Sequence, residues 1–390
     1  MIFTEFSIKN FRGIKTTQIN GLSRVNLFLG RNNCGKTTVL EAIFVSLAPT
    51  NPGSIVQIDN LRNLLHDEEN DFRFVFYGFD YNNTIEINSK LLSERSATEH
   101  TRELKINPIK GSHFTQHLPS TPDNNKSSQP ITSQNSSSTT SGSTSSGFPF
   151  QEFVVGLQFE QTIKKYQSEK KKYKTSIKLI RNQGGLPSFQ FGASETTAKE
   201  NFLGIFQQPS SKPSFDLNQR LSKIIVEKKT KELLLPLKEI DSKIVDLHFG
   251  VKNMLYFDTG IDQLVPSNLM GDGFLRLLEI CVNIYSVKGG VLLIDEVDNG
   301  LHFSTLRLLW KTIFTTARRY DCQVFVTSHN FELIEHLAEL LKEDEYSEFK
   351  NDMSCYTLIK DSRDKIISTK YDFEKLEFAI NKDIEVRDAN

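Results

Sequence analysis

The chain has 390 residues, 38% of them hydrophobic and 24% charged, with a formal charge of -1 at neutral pH. That length and balance suit a folded protein of two or three lobes around sizeable cores. They exclude a globally basic nucleic-acid binder and leave only a local patch as a route to DNA.

No apolar run approaches the ~18 to 20 residues of a membrane span, and the start MIFTEFSIKNF has neither the charged onset nor the apolar core of a signal peptide. Cys34, Cys281, Cys322 and Cys355 are scattered, without a C-x-x-C pair. This argues for a reduced, cytoplasmic chain and against zinc or redox chemistry.

From Met1 to about Pro49 the pattern predicts strand, turn, strand, loop and helix. In LFLGRNNCGKTTVLEAI a buried strand, Leu27 to Leu29, gives way to a loop from Gly30 to Lys36. A helix follows from Thr37, with Val39, Leu40, Ile43, Phe44 and Leu47 at helical spacing. That is the context a G-x-x-x-x-G-K-[ST] phosphate loop requires. Gly30 and Gly35 permit a turn tight enough for the N–H groups of the loop, Asn32, Asn33 and Thr38 included, to face the β- and γ-phosphates. Lys36 is expected at the β/γ oxygens and Thr37 at Mg2+. Cys34 inside this loop is either an oxidation-sensitive switch or, more simply, a small loop residue.

Next come short alternating stretches, FRFVFYGF, TIEINSKL, RELKINPI, FVVGLQFEQ and YKTSIKLI, whose period of two predicts half-buried antiparallel strands and hence a β lobe. Between the third and fourth lies a Ser/Thr/Asn/Gly-rich segment from about 117 to 147. Such a segment buries too little surface to offset its ordering entropy and is expected to be disordered, a spacer or a partner-binding loop. Leu217 to Val245 reads as one or two amphipathic helices, at most roughly 45 Å long at the α-helical rise, far short of a long coiled-coil arm.

GGVLLIDEVDNGLH, Gly289 to His302, opens with an apolar strand ending at Asp295 and Glu296. Beside a phosphate loop, Asp295 is expected to hold Mg2+ and Glu296 to polarise the attacking water. CQVFVTSHN, Cys322 to Asn330, is a further buried strand that ends in His329, a candidate sensor of the γ-phosphate, because ligands of parallel α/β sheets gather at strand carboxyl ends.

The order of KNFRGI, GRNNCGKTT, VPSNLMGDGFLRLLEI, VLLIDEVDNGLH and VFVTSHN resembles the ABC-type ATPase heads of the OLD and SMC-related class. It most resembles the small bacterial AAA15/AAA21 ATPases of phage-defence modules. The resemblance covers Met1 to about Tyr81 and about Val245 to the C-terminus, including YDFEKLEFAINKDIEVR.

It implies an α/β fold: an ABC-type P-loop head with a mainly parallel sheet flanked by helices, plus an antiparallel β lobe and a helical insertion. The expected division is 1–90 for the first part of the head, 91–210 for the lobe, 211–245 for the helical segment and 246–390 for the rest of the head. ATP and Mg2+ are the implied cofactors. Ser267 to Gly273, with Ser267, Asn268, Gly271 and Gly273 in the lead, would form a signature that reaches a second copy's γ-phosphate. The alternative reading of SNLMGDG is a plain helix cap. Asn299 to His302 would be the loop that closes the dimer, His329 the switch histidine, and Arg12 a basic residue near the phosphates. The glutamine that senses Mg2+ in this class is not placed; Gln57 qualifies by position alone.

In the OLD family a Toprim nuclease follows the head, whereas here about sixty residues follow His329, and Asp361 and Asp364 only flank a turn. No nuclease is expected on this chain. The leading reading is therefore an ATP-hydrolysing homodimer or higher homo-oligomer that regulates a separately encoded effector nuclease in anti-phage defence. The alternative is a DNA-binding head in repair or recombination, for which EKKTKE and Lys164 to Lys174 supply local basic clusters, although such runs are commonly solvated faces. A transporter motor, and with it a membrane partner, is disfavoured by the divergent signature and the inserted lobe.

Overall fold

The computed structural model describes residues 1–48, 50–64, 71–93, 96–111, 153–165, 167–180, 188–192, 202–209, 215–250, 253–382, 384 and 386. The expected disordered segment at about 117–147 lies outside the described residues.

The first half of the chain supplies β1 (Ile2–Phe11), β2 (Ile14–Asn20), β3 (Val25–Leu29), α1 (Lys36–Leu47) and α2 (Gly53–Leu61), then β4 (Ile85–Ser93), β5 (Thr98–Gly111), β6 (Phe153–Lys164), β7 (Lys171–Ile180), β8 (Ser188–Gly192) and β9 (Gly204–Gln207). The second half supplies α3 (Phe215–Val226), α4 (Thr230–Leu234), β10 (Asp246–Phe249), β11 (Leu255–Asp258), β12 (Val265–Pro266), α5 (Asp272–Ser286), β13 (Val291–Ile294), α6 (Phe303–Arg319), β14 (Gln323–Thr327), α7 (Phe331–Lys342), β15 (Met353–Lys360), β16 (Lys365–Tyr371) and α8 (Phe373–Asn381).

Among the described residues these form a 13-stranded sheet, β8-β7-β6-β5-β4-β1-β2-β16-β15-β3-β14-β13-β9, and a 3-stranded sheet, β10-β11-β12. The strands β15, β3, β14, β13 and β9 run parallel. Of these, β3, β13 and β14 are buried along their whole length and largely apolar, because both faces are covered. Alternate residues serve different cores: Leu27, Leu29, Leu292, Ile294, Val324 and Val326 pack with α3, α5, α6, α7 and α8. Phe28, Leu293 and Phe325 pack on the other face with α1 and the first strands. The mainly parallel, helix-flanked head expected from the motifs is thus present. No described helix is long and apolar enough to cross a membrane.

The lobe continues the same sheet through β1, with β4 to β8 antiparallel. TIEINSKL, RELKINPI, FVVGLQFEQ and YKTSIKLI fall in β4, β5, β6 and β7 as expected. FRFVFYGF does not form a strand: it folds as two 3-10 turns, Phe72–Val75 and Tyr77–Phe79, because Asp71 accepts from the Arg73 N–H and caps the first turn, a local bond that competes with strand pairing. The expected 91–210 lobe also contains β9, which leaves the antiparallel part and pairs in parallel with β13 at the opposite edge. Leu217 to Val245 divides into α3, α4 and a 3-10 turn at Leu237–Glu239.

One face of the lobe carries a cross-strand row, Lys9, Glu86, Lys105, Glu160 and Lys174, in register from β1 to β7. Lys9 and Glu86 lie 3.3 Å apart, and Lys174 and Glu160 3.2 Å. Alternating charge across neighbouring strands stabilises the pairing, so Lys174 of the basic cluster has a carboxylate partner on a solvated face.

Candidate functional site

The carboxyl ends of β3, β13 and β14 meet at the start of α1. Gly30 and Gly35 hold left-handed backbone, φ 141° and 99°. A Cβ on Gly30 would lie 2.5 Å from the Leu358 carbonyl oxygen and 2.7 Å from Cys34 Sγ, so only glycine allows the loop to pass this close to β15. Cys34 is buried and packs there as a small loop residue. Asn32 and Asn33 are exposed at the loop tip, and Lys36 and Thr38 are buried at the start of α1. Lys36 Nζ donates to the carbonyls of Gly30 and Arg31 at 2.7 and 3.0 Å, which curls the loop around its ammonium group.

The residues expected to hold the metal are in contact: Thr37 Oγ1 donates to Asp295 Oδ2 at 2.8 Å. Thr327, at the end of β14, donates to Asp295 Oδ1 at 2.6 Å and accepts the Glu296 N–H at 2.8 Å. Thr327 therefore orients both acids, a duty the sequence reading did not assign. Glu296 holds a left-handed backbone, φ 46°, a conformation that costs a non-glycine residue roughly 1–3 kcal/mol and is retained where its surroundings over-determine it. One hydroxyl and one carboxylate are the hard oxygen donors that Mg2+ takes when phosphate and water complete its octahedron, so these residues fit that ion. His329 is exposed just beyond β14.

Ser267 and Asn268 form a 3-10 turn after β12, and α5 starts at Asp272 with Gly271 as its N-cap and no capping side chain. Gly271, within SNLMGDG, is the backbone cap of α5, whereas Ser267 and Asn268 make no side-chain capping bond to that helix. Asn299 is exposed in the turn after β13, and His302 caps α6 by accepting from the Ser304 N–H. A cleft of about 500 Å³ lies between these two segments, lined by Met270, Gly271, Gly273, Gly300 and His302.

Arg12 has carboxylate partners on α1 and α2, with Nη1 3.0 Å from Glu41 and Nη2 on Asp59. Burial lowers the pKa of its guanidinium, and the two carboxylates oppose that. Gln57 is exposed on α2. A glutamine that does meet the site, through its backbone, is Gln207, whose carbonyl accepts the Asp295 N–H at 2.9 Å. Gln207 Nε2 donates to Glu279 at 3.0 Å, and its Oε1 accepts from Asn283 at 3.0 Å. Arg276 Nη1 donates to the Gln208 carbonyl at 3.1 Å, and burial lowers its pKa against the fields of Glu279, Asp298 and Asp295. Helix α5, which begins within SNLMGDG, is thus tied to the edge strand beside the acids. The four-residue strand GIFQ is too short for periodicity to reveal, although the paired glutamines at its end are a visible polar signal.

Residues 25–335 match the family model AAA_21, described as AAA domain, putative AbiEii toxin, Type IV TA system. A protein named ATP/GTP phosphatase from Helicobacter pylori (strain ATCC 700392 / 26695) is 27% identical over 396 residues, 95% of this chain and 96% of that protein. DNA replication and repair protein RecF of Bacteroides fragilis is 32% identical over 79 residues, 20% of each chain. Among solved structures, an SMC head domain from Thermotoga maritima overlaps with a TM-score of 0.45 at 10% identity, covering 95% of this chain and 99% of that one. An SMC head bound to the C-terminal winged-helix domain of ScpA overlaps with a TM-score of 0.49 at 10% identity, covering 97% and 100%.

Proposed function

Because the chain belongs to the AAA_21 family of AAA-domain proteins, we propose that it is a nucleotide-driven dimeric switch that regulates a separately encoded effector nuclease in anti-phage defence. The chain is a P-loop ATPase of the AAA/ABC class, and the switch builds on that activity. The observation that carries the reading is the convergence of Thr37, Asp295, Thr327 and Glu296 within direct hydrogen bonds at the mouth of the phosphate loop. Lys36 and the loop N–H groups, those of Gly30, Asn32, Asn33, Gly35 and Thr38 among them, would hold the polyphosphate, and Thr37 and Asp295 would hold Mg2+. Glu296 then takes a proton from the attacking water. Ser267, Asn268, Gly271 and Gly273 would face the γ-phosphate held by a second copy, with Asn299 at the join and His329 sensing phosphate loss. Contacts made only while the γ-phosphate is present give the two-state behaviour.

The test is the solution mass of Glu296→Gln with and without Mg·ATP. A mass that doubles with nucleotide, and stays single when Ser267→Arg is added, supports the switch; a mass fixed at one copy under all conditions overturns it. Whether a neighbouring reading frame is required for immunity then tests the effector.

The RecF likeness favours a second reading, a DNA-binding head. It predicts ATP turnover raised by DNA and binding that weakens steeply with salt; turnover indifferent to both duplex and single strands would exclude it.

A further inference from the structure

Glu41 is 2% exposed and lies four positions after Thr37 on α1. The two side chains therefore share a helix face one turn apart. Burial pushes the Glu41 carboxyl up, and two guanidiniums oppose that. Arg12 approaches it to 3.0 Å, while Arg62 grips it with Nε at 2.5 Å and Nη2 at 3.1 Å. The two arginines are not equivalent. The Arg12 side chain is 7% exposed and is also held by Asp59, whereas that of Arg62 is 39% exposed.

The backbone beside Arg62 is fixed to the site. The Leu61 carbonyl accepts Gln208 Nε2 at 2.5 Å, and the Gln207 carbonyl accepts the Asp295 N–H at 2.9 Å. Burial lowers the pKa of the Arg62 guanidinium, but its bonds to Glu41 and the charges of Glu41, Asp295 and Asp59 outweigh that and hold it above the usual value.

We infer that Arg62 is a further residue of the nucleotide site, a guanidinium held on Glu41 one helical turn from Thr37 and placed to favour a nucleoside triphosphate over a diphosphate. The inference rests on the nucleotide-driven reading above. Its physical basis is a duplicated partner. A buried carboxylate left without a cation is strongly destabilising, and with Arg12 in place Glu41 keeps one when Arg62 turns away. An arginine released this way offers the planar fork that suits phosphate oxygens. A triphosphate carries more negative charge to this place than a diphosphate. Arg12, boxed by two carboxylates and core, is the anchor of the pair, and Arg62 is the mobile member.

The test measures Mg·ATP and Mg·ADP dissociation constants for the wild-type protein, Arg62→Ala and Arg62→Lys, with thermal midpoints in the absence of nucleotide. The expected result is an ATP affinity lower by on the order of tenfold in Arg62→Ala, with ADP affinity within about twofold. Arg62→Lys should fall between, because it keeps the charge and loses the fork. Equal weakening of both nucleotides, with a lowered midpoint in both variants, marks Arg62 as a brace for the end of α2 and overturns the inference. An unchanged ATP-to-ADP ratio in Arg62→Ala overturns it equally. Failure of the wild-type protein to bind either nucleotide would instead remove the nucleotide reading on which it stands.

Discussion

Arg12 and Glu296 hold left-handed backbone without being glycine, at φ 49° and 46°. Each is fixed by a specific bond: the Arg12 N–H donates to the Val75 carbonyl at 2.8 Å, and the Glu296 N–H to Thr327 Oγ1 at 2.8 Å. Strain kept at chemically active positions and over-determined by neighbours is a recurrent feature of functional sites. Gly30 shows the opposite case, where only the absence of a side chain is tolerated. In Gly30→Ala the new methyl meets a backbone carbonyl of β15 that cannot step aside. Unfolding by denaturant should show a loss of about 2–4 kcal/mol, together with loss of nucleotide binding. Wild-type stability would show that β15 can yield. The lone thiols Cys281 and Cys322 are pushed up to about 12 by burial; they are packing residues.

At the scale of elements, caps decide where helices start. Asp372 accepts the Lys375 N–H at 2.9 Å at the start of α8, whose Phe373, Leu376 and Ala379 join the core beneath the parallel strands. That backbone bond holds the Asp372 carboxyl below its usual range. A depressed pKa means the contribution is present at neutral pH and is lost as pH falls through the carboxylate range. Asp372→Ala should therefore cost about 0.5–1 kcal/mol at pH 7, the low end for an exposed cap, and the difference from wild type should shrink as acid protonates the carboxyl. A cost that persists unchanged at low pH would point to lost packing.

Elements with a period were legible: Leu27 to Leu29, the alternating strands of the lobe, and the helix after Lys36. Those made by a local side-chain bond, the 3-10 turns at Phe72–Val75 and Tyr77–Phe79, or by a partner distant in sequence, β9, were not.

For the whole molecule, the feature that joins the site to the rest is the buried polar relay of Gln207, Glu279, Asn283 and Arg276. It extends to α3 through Arg220, whose Nη1 donates to Asn283 Oδ1 at 2.7 Å. It joins the edge strand beside Asp295 to α5. A displacement at one end is expected to reach the other, because close-packed interiors shift between discrete arrangements and do not deform smoothly. Arg276→Met keeps the packed stem and removes the charge, and Gln207 still partners Glu279. In the Glu296→Gln background, nucleotide affinity should stay within about twofold while the nucleotide-dependent mass rise falls by about tenfold, the range of typical coupling energies. A full mass rise in this variant would show that α5 moves independently of the relay.

The sequence alone determined the phosphate loop, the two acids after an apolar strand, and His329 at the end of another. Each is a local pattern, glycines at fixed spacing or an apolar run ending in a carboxylate, whose chemistry needs no distant partner to be read. Tertiary structure alone decided that Thr327 orients Asp295 and Glu296, that the Gln207 carbonyl bonds the Asp295 N–H, that Arg12 shares Glu41 with Arg62, and that Lys174 faces Glu160. In each case the meaning of a polar side chain is set by what it meets, and hydrogen bonds and charges act over a few ångströms between residues that lie tens to hundreds of positions apart in the chain.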